Sequence, residues 1–100
     1  MKTIILLCSA GMSTSLLVSR MQKIVAEQGL NYKVEAMATN KADEAAGIAD
    51  VILLGPQVRF ELNKLKERLS VPVDAIDMRD YGTMNGLNVL NQARKILGDL

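Results

Sequence analysis

The sequence predicts an α/β fold: a four-stranded parallel sheet in the flavodoxin-like order 2-1-3-4, with helices on both faces. Three observations predict it. Residues 4–7 (Ile-Ile-Leu-Leu) and 51–54 (Val-Ile-Leu-Leu) are wholly apolar, the pattern of central strands covered on both faces. Residues 33–38 alternate polar and apolar, the pattern of an edge strand with one solvated face. Between the strands apolar residues recur at helical spacing, and right-handed crossovers then set the strands parallel.

The first strand is expected over Thr3 to Leu7, with Cys8 ending the apolar run. Ser9 to Thr14 form a loop of small residues, and Ser13 or Thr14 serves as the helix N-cap. Leu17, Met21, Ile24, Val25 and Gln28 follow at helical spacing and Gly29 stops the run, so the first helix spans about Ser13 to Gln28. The edge strand is Lys33 to Ala38. Asn40 to Ala49 is Ala-rich, carries Lys41, Asp43 and Glu44, and reads as a short, weakly packed helix ending near Gly47. Val51 to Leu54 is the next strand, broken by Gly55-Pro56-Gln57. Val58, Leu62, Leu65 and Leu69 mark the inner stripe of a third helix, with Arg59, Glu61, Lys64, Lys66 and Glu67 on its solvated face. Pro72 precedes a short strand, Val73 to Ile76, and Asp77 to Gly82 is a polar loop. Leu87, Leu90, Ala93 and Leu97 give the last helix, Asn85 to Leu97. In such sheets ligands bind beyond the carboxyl ends of the strands, at the switch between the first and third. Cys8, Gly55 and Asp77 all fall on that edge.

Residues 1–100 fit one domain, and 49% hydrophobic residues suffice for a packed core. Met1 and the compact end read as a free-standing chain. Net charge is +1, the signs are interspersed, and Tyr32, Phe60 and Tyr81 are the only aromatics. That pattern offers no nucleic-acid surface. No stretch approaches the roughly 18 apolar residues of a membrane span, and no secretory signal precedes the first strand. The expectation is a cytoplasmic monomer that is not itself membrane-inserted. One unpaired cysteine argues against a disulfide framework. With no histidine and one cysteine, no metal and no cofactor are expected.

Cys8 carries the candidate chemistry. Position alone fits a small buried hydrophobe as well as a reactive thiol. Three features favour the thiol: the residues after it are small, Gly11 frees the middle of the loop, and a helix starts at once. A helix N-terminus favours a thiolate and a bound phosphate. A thiolate at an anion cradle is a nucleophile for phosphorus. Cysteine phosphatases use Cys-x5-Arg, in which the arginine clamps the phosphoryl oxygens. Here Thr14 occupies that arginine's place, and residues 9–18 contain no Lys or Arg. Arg20 lies about two turns into the helix and points away. A site of amides and hydroxyls suits a carrier, which must pass the group on, better than a hydrolase.

Leu7-Cys8-Ser9-Ala10-Gly11-Met12-Ser13-Thr14-Ser15-Leu16-Leu17-Val18 resembles the phosphorylation loop of the IIB component of the lactose/cellobiose (chitobiose) family of the bacterial phosphoenolpyruvate-dependent sugar phosphotransferase system. Residues 51–57 resemble that family's third strand and following loop, and residues 81–90 the start of its last helix. The likeness spans essentially the whole chain. It implies that Cys8 accepts a phosphoryl group from a phosphohistidine of a IIA protein. Cys8 would then donate it to a sugar bound in the membrane transporter IIC, a β-linked disaccharide such as cellobiose, chitobiose or lactose. The absence of histidine fits a donor histidine on another protein. The alternative is a low-molecular-weight cysteine phosphatase or an arsenate reductase-like hydrolase, against which the missing loop arginine and second cysteine weigh. A non-catalytic module with a structural Cys8 is a third reading.

The expected phosphate-binding loop is Ser9, Ala10, Gly11, Met12, Ser13, Thr14 and Ser15. The backbone N–H groups of residues 10–13 lead, and the hydroxyls of Ser13, Thr14 and, less, Ser15 either touch the group or cap the helix. Met12 either presses on a partner or plugs the core. Secondary candidates are Gln57, as a contact to the phosphoryl group or a partner, and Asp77, as a general acid or a cap. Tyr81 is the third, read more simply as packing at the loop edge.

Overall fold

The computed structural model describes residues 1–9 and 12–100, residues 12 and 13 by their backbone alone. Its sheet has strands β1 (Lys2–Cys8), β2 (Tyr32–Ala38), β3 (Val51–Leu54) and β4 (Val73–Ala75), all parallel, in the order β2-β1-β3-β4. The helices are α1 (Met12–Gln28), α2 (Ala42–Ala46), α3 (Leu62–Arg68), α4 (Met78–Gly82) and α5 (Gly86–Ile96).

The two apolar strands are central because both their faces are covered. Strand residues alternate sides. Ile4, Leu6, Val51 and Leu53 point to α1 and α5, where they meet Leu17, Met21, Val89, Leu90 and Ala93. Ile5, Leu7, Ile52 and Leu54 point the other way, to Ala42, Ala45, Val58 and Leu65. All eight of these strand side chains are fully buried. At roughly 1.5–3 kcal/mol for each such side chain, this double layer is the main favourable contribution to the fold.

Helix α1 ends at Gly29, whose φ of +64° is the left-handed conformation that closes a helix. Gln28, read with the inner stripe, is exposed; the stripe ends at Ile24 and Val25, both half-buried. Between α1 and α5 the backbones come close at Gly86. A Cβ there would stand 3.0 Å from Arg20 Cβ and 3.2 Å from Met21 N.

Four sequence expectations need correction. Neither Ser13 nor Thr14 is the helix cap, because α1 begins before both, at Met12. The segment at 40–49 is not weakly packed: a 3₁₀ turn (Thr39–Lys41) leads into α2, whose Ala42 and Ala45 are buried. Small side chains let the helix lie close on the sheet. The third helix begins as a 3₁₀ segment, Pro56–Glu61, and becomes α-helical only at Leu62, with Val58 outside helical geometry. Residues 77–82 are not a loop. Asp77 caps α4, accepting from the N–H groups of Arg79 (2.9 Å) and Asp80 (3.2 Å), and that satisfies donors which a five-residue helix cannot satisfy itself.

Candidate functional site

Cys8 ends β1, and strand periodicity decides where its thiol goes. It follows Ile4 and Leu6, so the side chain turns toward the α1 side of the sheet. Helix α1 starts four residues later. Its first turn brings Thr14 under the sulfur, and the Thr14 hydroxyl donates a hydrogen bond to Cys8 Sγ. Thr14 is fully buried and Cys8 is 3% exposed. A hydroxyl donor held against sulfur at a helix N-terminus is a favourable neighbour for an anionic group bound to that sulfur.

The strands beside Cys8 present small residues. Ala38 is its register partner on β2. On the other side Gly55 follows β3, its N–H donating to Leu7 O at 2.8 Å. A Cβ on Gly55 would stand 3.3 Å from Cys8 Cβ, 3.4 Å from Leu7 O and 3.2 Å from Gln57 Oε1. Glycine therefore lets the β3 end close on the cysteine. The same distances bring the exposed Gln57 side chain to this junction, since its carboxamide oxygen and Cys8 Cβ both lie near one point. The sequence places Gly55 at the carboxyl edge as a strand breaker, without its close approach to Cys8. The signal for its closer role was register: residue 54 pairs with residue 7, so residue 55 stands beside residue 8.

The structure thus brings together Cys8, Thr14, Gly55 and Gln57. Ser9 and Ser15 are both exposed on the same edge. Ala10 and Gly11 lie outside the described residues, as do the side chains of Met12 and Ser13.

Two candidates stand apart. Asp77 follows β4, about 10 Å from β1 at two strand spacings, and its carboxylate is engaged in capping α4. Tyr81 is not at a loop edge but in the core layer under α1 and α5, 7% exposed. Arg20 is directed away from Cys8: its Nη1 donates to Met84 O at 3.0 Å in the α4–α5 connection. Among the described residues, no helix is long and apolar enough to cross a membrane.

Comparison with known proteins identifies the family. The family model "PTS system, Lactose/Cellobiose specific IIB subunit" matches residues 3–92. The chain is 49% identical over 104 aligned positions to the galactose-specific EIIB component of Lactococcus lactis subsp. cremoris, covering 96% of each protein. It is 39% identical over 100 positions to the oligo-beta-mannoside-specific EIIB component of Bacillus subtilis, covering 97% of each. The solution structure of a cellobiose-specific IIB component from Borrelia burgdorferi superposes with a TM-score of 0.82 at 40% identity, over 98% of this chain and 93% of that one. A lactose-specific IIB domain from Streptococcus pneumoniae superposes equally well, TM-score 0.82, at 19% identity over 94% of this chain and 95% of that one, which speaks for the fold alone. By sequence and by fold, the chain belongs to the lactose/cellobiose IIB family of the sugar phosphotransferase system, whose members are phosphotransferases.

Proposed function

We propose that Cys8 is a phosphoryl relay in the cytoplasm, loaded by a IIA phosphohistidine and discharged to a sugar held in a IIC membrane transporter. The observation that carries this reading is the Thr14 hydroxyl on Cys8 Sγ at the N-terminus of α1. In the loading step the Cys8 thiolate attacks phosphorus. The S–P bond forms, the P–N bond breaks, and imidazole leaves with the electron pair. In the discharge step a sugar hydroxyl oxygen attacks the same phosphorus. The O–P bond forms, the S–P bond breaks, and the thiolate departs while the hydroxyl proton goes to a base or to solvent. Thr14 is poised to support sulfur as attacking group in the first step and as leaving group in the second.

The phosphoryl oxygens would rest on the amides of residues 9–15, with Gln57 at the rim. Ser9, Ala10, Gly11, Met12, Ser13 and Ser15 enter this proposal through the loop they form, and Asp77 and Tyr81 are left out of it. A residue such as Thr14 in place of a loop arginine supports transfer over hydrolysis, because no fixed cation within the loop holds the phosphoryl group. The relatives are named for galactose (49% identical), cellobiose (48%) and oligo-beta-mannoside (39%); of these, cellobiose is a β-linked disaccharide, the class proposed for the sugar, with the choice made by IIC.

The test is incubation with the phosphorylated IIA protein carrying labelled phosphate. Stable label on Cys8, absent in Cys8→Ser and chased onto sugar by IIC-bearing vesicles, is the expected result. Release of free phosphate at catalytic rates would turn the reading to a phosphatase, and no labelling to a structural cysteine.

A further inference from the structure

The two edges of the sheet are finished differently. Along a strand, the N–H and C=O of one residue point to one side and those of the next residue to the other. On β4, Pro72 O and Ile76 N bond toward β3, so Val73 and Ala75 face outward. Side chains close Ala75: its N–H donates to Asp74 Oδ1 at 2.8 Å, and its carbonyl accepts from Gln92 Nε2 at 2.8 Å. A three-residue strand closed in this way is an edge protected against further pairing.

Strand β2 is seven residues long. Asn31 O accepts from Lys2 N toward β1, so Lys33 and Glu35 turn their backbone groups inward, and Tyr32, Val34 and Ala36 turn theirs outward. Gln22 Nε2 reaches Val34 O at 2.7 Å from α1. On either side of Gln22 an open groove follows the strand, about 630 Å³ beside Val18, Met37 and Ile48 and about 320 Å³ beside Val25 and Ala26. A long edge strand flanked by open, largely apolar grooves is the setting for strand addition.

The charges on β2 select what is added. Lys33 and Glu35 share one face of the strand, lie 3.5 Å apart, and are 57% and 41% exposed. Consider two β2 strands paired antiparallel by their outward residues. With Val34 opposite Val34, Lys33 of each copy faces Glu35 of the other, which gives two opposite-charge pairs about a two-fold axis. Glu44, in the same groove as Glu35, adds a second carboxylate beside the incoming lysine. With Val34 opposite Ala36, Glu35 faces Glu35, which is unfavourable. With Ala36 opposite Ala36, Glu35 faces Met37 and the charge pairs are lost.

We propose that β2 pairs antiparallel with β2 of a second copy of this chain, in the register centred on Val34, in place of the monomer expected from sequence. The Val34 carbonyl has two lone pairs, so its bond from Gln22 does not bar a second one across the interface. The paired strands run in opposite directions, so the two Cys8 edges face opposite ways and each stays open. The inference therefore stands independently of the carrier reading.

The test is sedimentation of the intact protein from about 1 μM to about 1 mM, the span of weak specific affinities. The expected result is a rise in average mass from one chain to two. Lys33→Glu and Glu35→Lys each place like charges on both sides of the two-fold axis, and each should weaken the dimer about tenfold or more. The double variant Lys33→Glu/Glu35→Lys restores both pairs and should return to within about threefold of wild type. Unchanged amide spectra in dilute solution verify the fold of each variant. In the dimer, amide exchange should slow at Tyr32, Val34 and Ala36, whose N–H groups face outward, and stay unchanged at Lys33 and Glu35. A wild-type chain that remains monomeric throughout would overturn the proposal. So would a dimer indifferent to the single reversals, one not restored by the double variant, or one that slows exchange elsewhere than on β2.

Discussion

The Thr14 hydroxyl donates to Cys8 Sγ from within the first turn of α1, and both groups are buried. The pair joins a strand end to a helix start through one side-chain contact. The strand aims the thiol toward α1, and the helix supplies both the donor and the positive end of its dipole.

Removing that hydroxyl without changing shape should slow phosphoryl transfer. A hydrogen bond to a charged group contributes about 1.5–3 kcal/mol, so Thr14→Val should reduce the loading rate of Cys8 roughly 10- to 100-fold. Thr14→Ser should restore most of it. Rapid-quench measurement of labelled phosphate on Cys8 checks this. Equal rates for the valine and serine variants would dissociate Thr14 from the chemistry.

Gly55→Ala places a methyl group 3.3 Å from Cys8 Cβ and 3.4 Å from Leu7 O. The backbone oxygen cannot give way as a flexible side-chain end can, so the β3 end must move off the cysteine. The expected cost is about 1–3 kcal/mol in urea unfolding, with slower loading of Cys8. A variant as stable and as fast as wild type would show that the junction has slack.

Gly86 lies away from the cysteine, at the crossing of α1 and α5, where a Cβ would come within 3.0 Å of Arg20 Cβ and 3.2 Å of Met21 N. Gly86→Ala should force the helices apart and lower stability by about 1–3 kcal/mol. Transfer by the folded fraction should stay unchanged. Urea denaturation together with a loading assay separates the two effects.

At the opposite edge of the sheet, Lys2, Tyr32 and Asp99 tie the strand starts to the C-terminal segment. Lys2 Nζ lies 2.8 Å from Asp99 Oδ1, and the Tyr32 hydroxyl donates to Asp99 Oδ2 at 2.6 Å. The hydrogen bond from Lys2, then that from Tyr32, holds the Asp99 carboxyl below its ordinary value of 3.8. A depressed carboxylate contributes stability that is present above the unfolded-state value and lost as pH falls through the folded one. Lys2 is raised above 10.5, first by its hydrogen bond to Asp99, and Tyr32 above 10.0, first by burial. Their contributions are present below the unfolded-state values and lost as pH rises through the folded ones. Asp99→Asn should therefore lower the urea midpoint near neutrality. The gap to wild type should close below the ordinary aspartate value and narrow again in strong alkali. The effect should be small and screened by salt, because Lys2 and Asp99 are open to solvent. A gap independent of pH would assign the loss to packing instead.

The parts of the fold that were readable in advance are those set by local pattern. Val51 to Leu54 could be delimited because an unbroken apolar run between Asp50 and the Gly55-Pro56 break has no alternative to burial on both faces. The alternation from residue 33 to 38 marked β2 as an edge because it leaves one face to solvent. Segment 77–82 escaped because a five-residue helix has no periodicity to detect. It exists through the Asp77 cap and the burial of Tyr81 beneath α1 and α5. The close packing of α2 escaped because an Ala-rich stretch looks weakly apolar until a sheet lies against it.

The sequence by itself determined the strand order, the single cysteine at the carboxyl edge and the absence of a cation in the loop that follows it. Each depends on composition or on short-range pattern. Only the tertiary structure decided that Thr14 meets the sulfur rather than capping the helix, that Gly55 closes on Cys8, and that Asp77 is committed elsewhere. Those outcomes depend on where α1 begins and how the strands lie in register, and register is a relation between segments far apart in the chain.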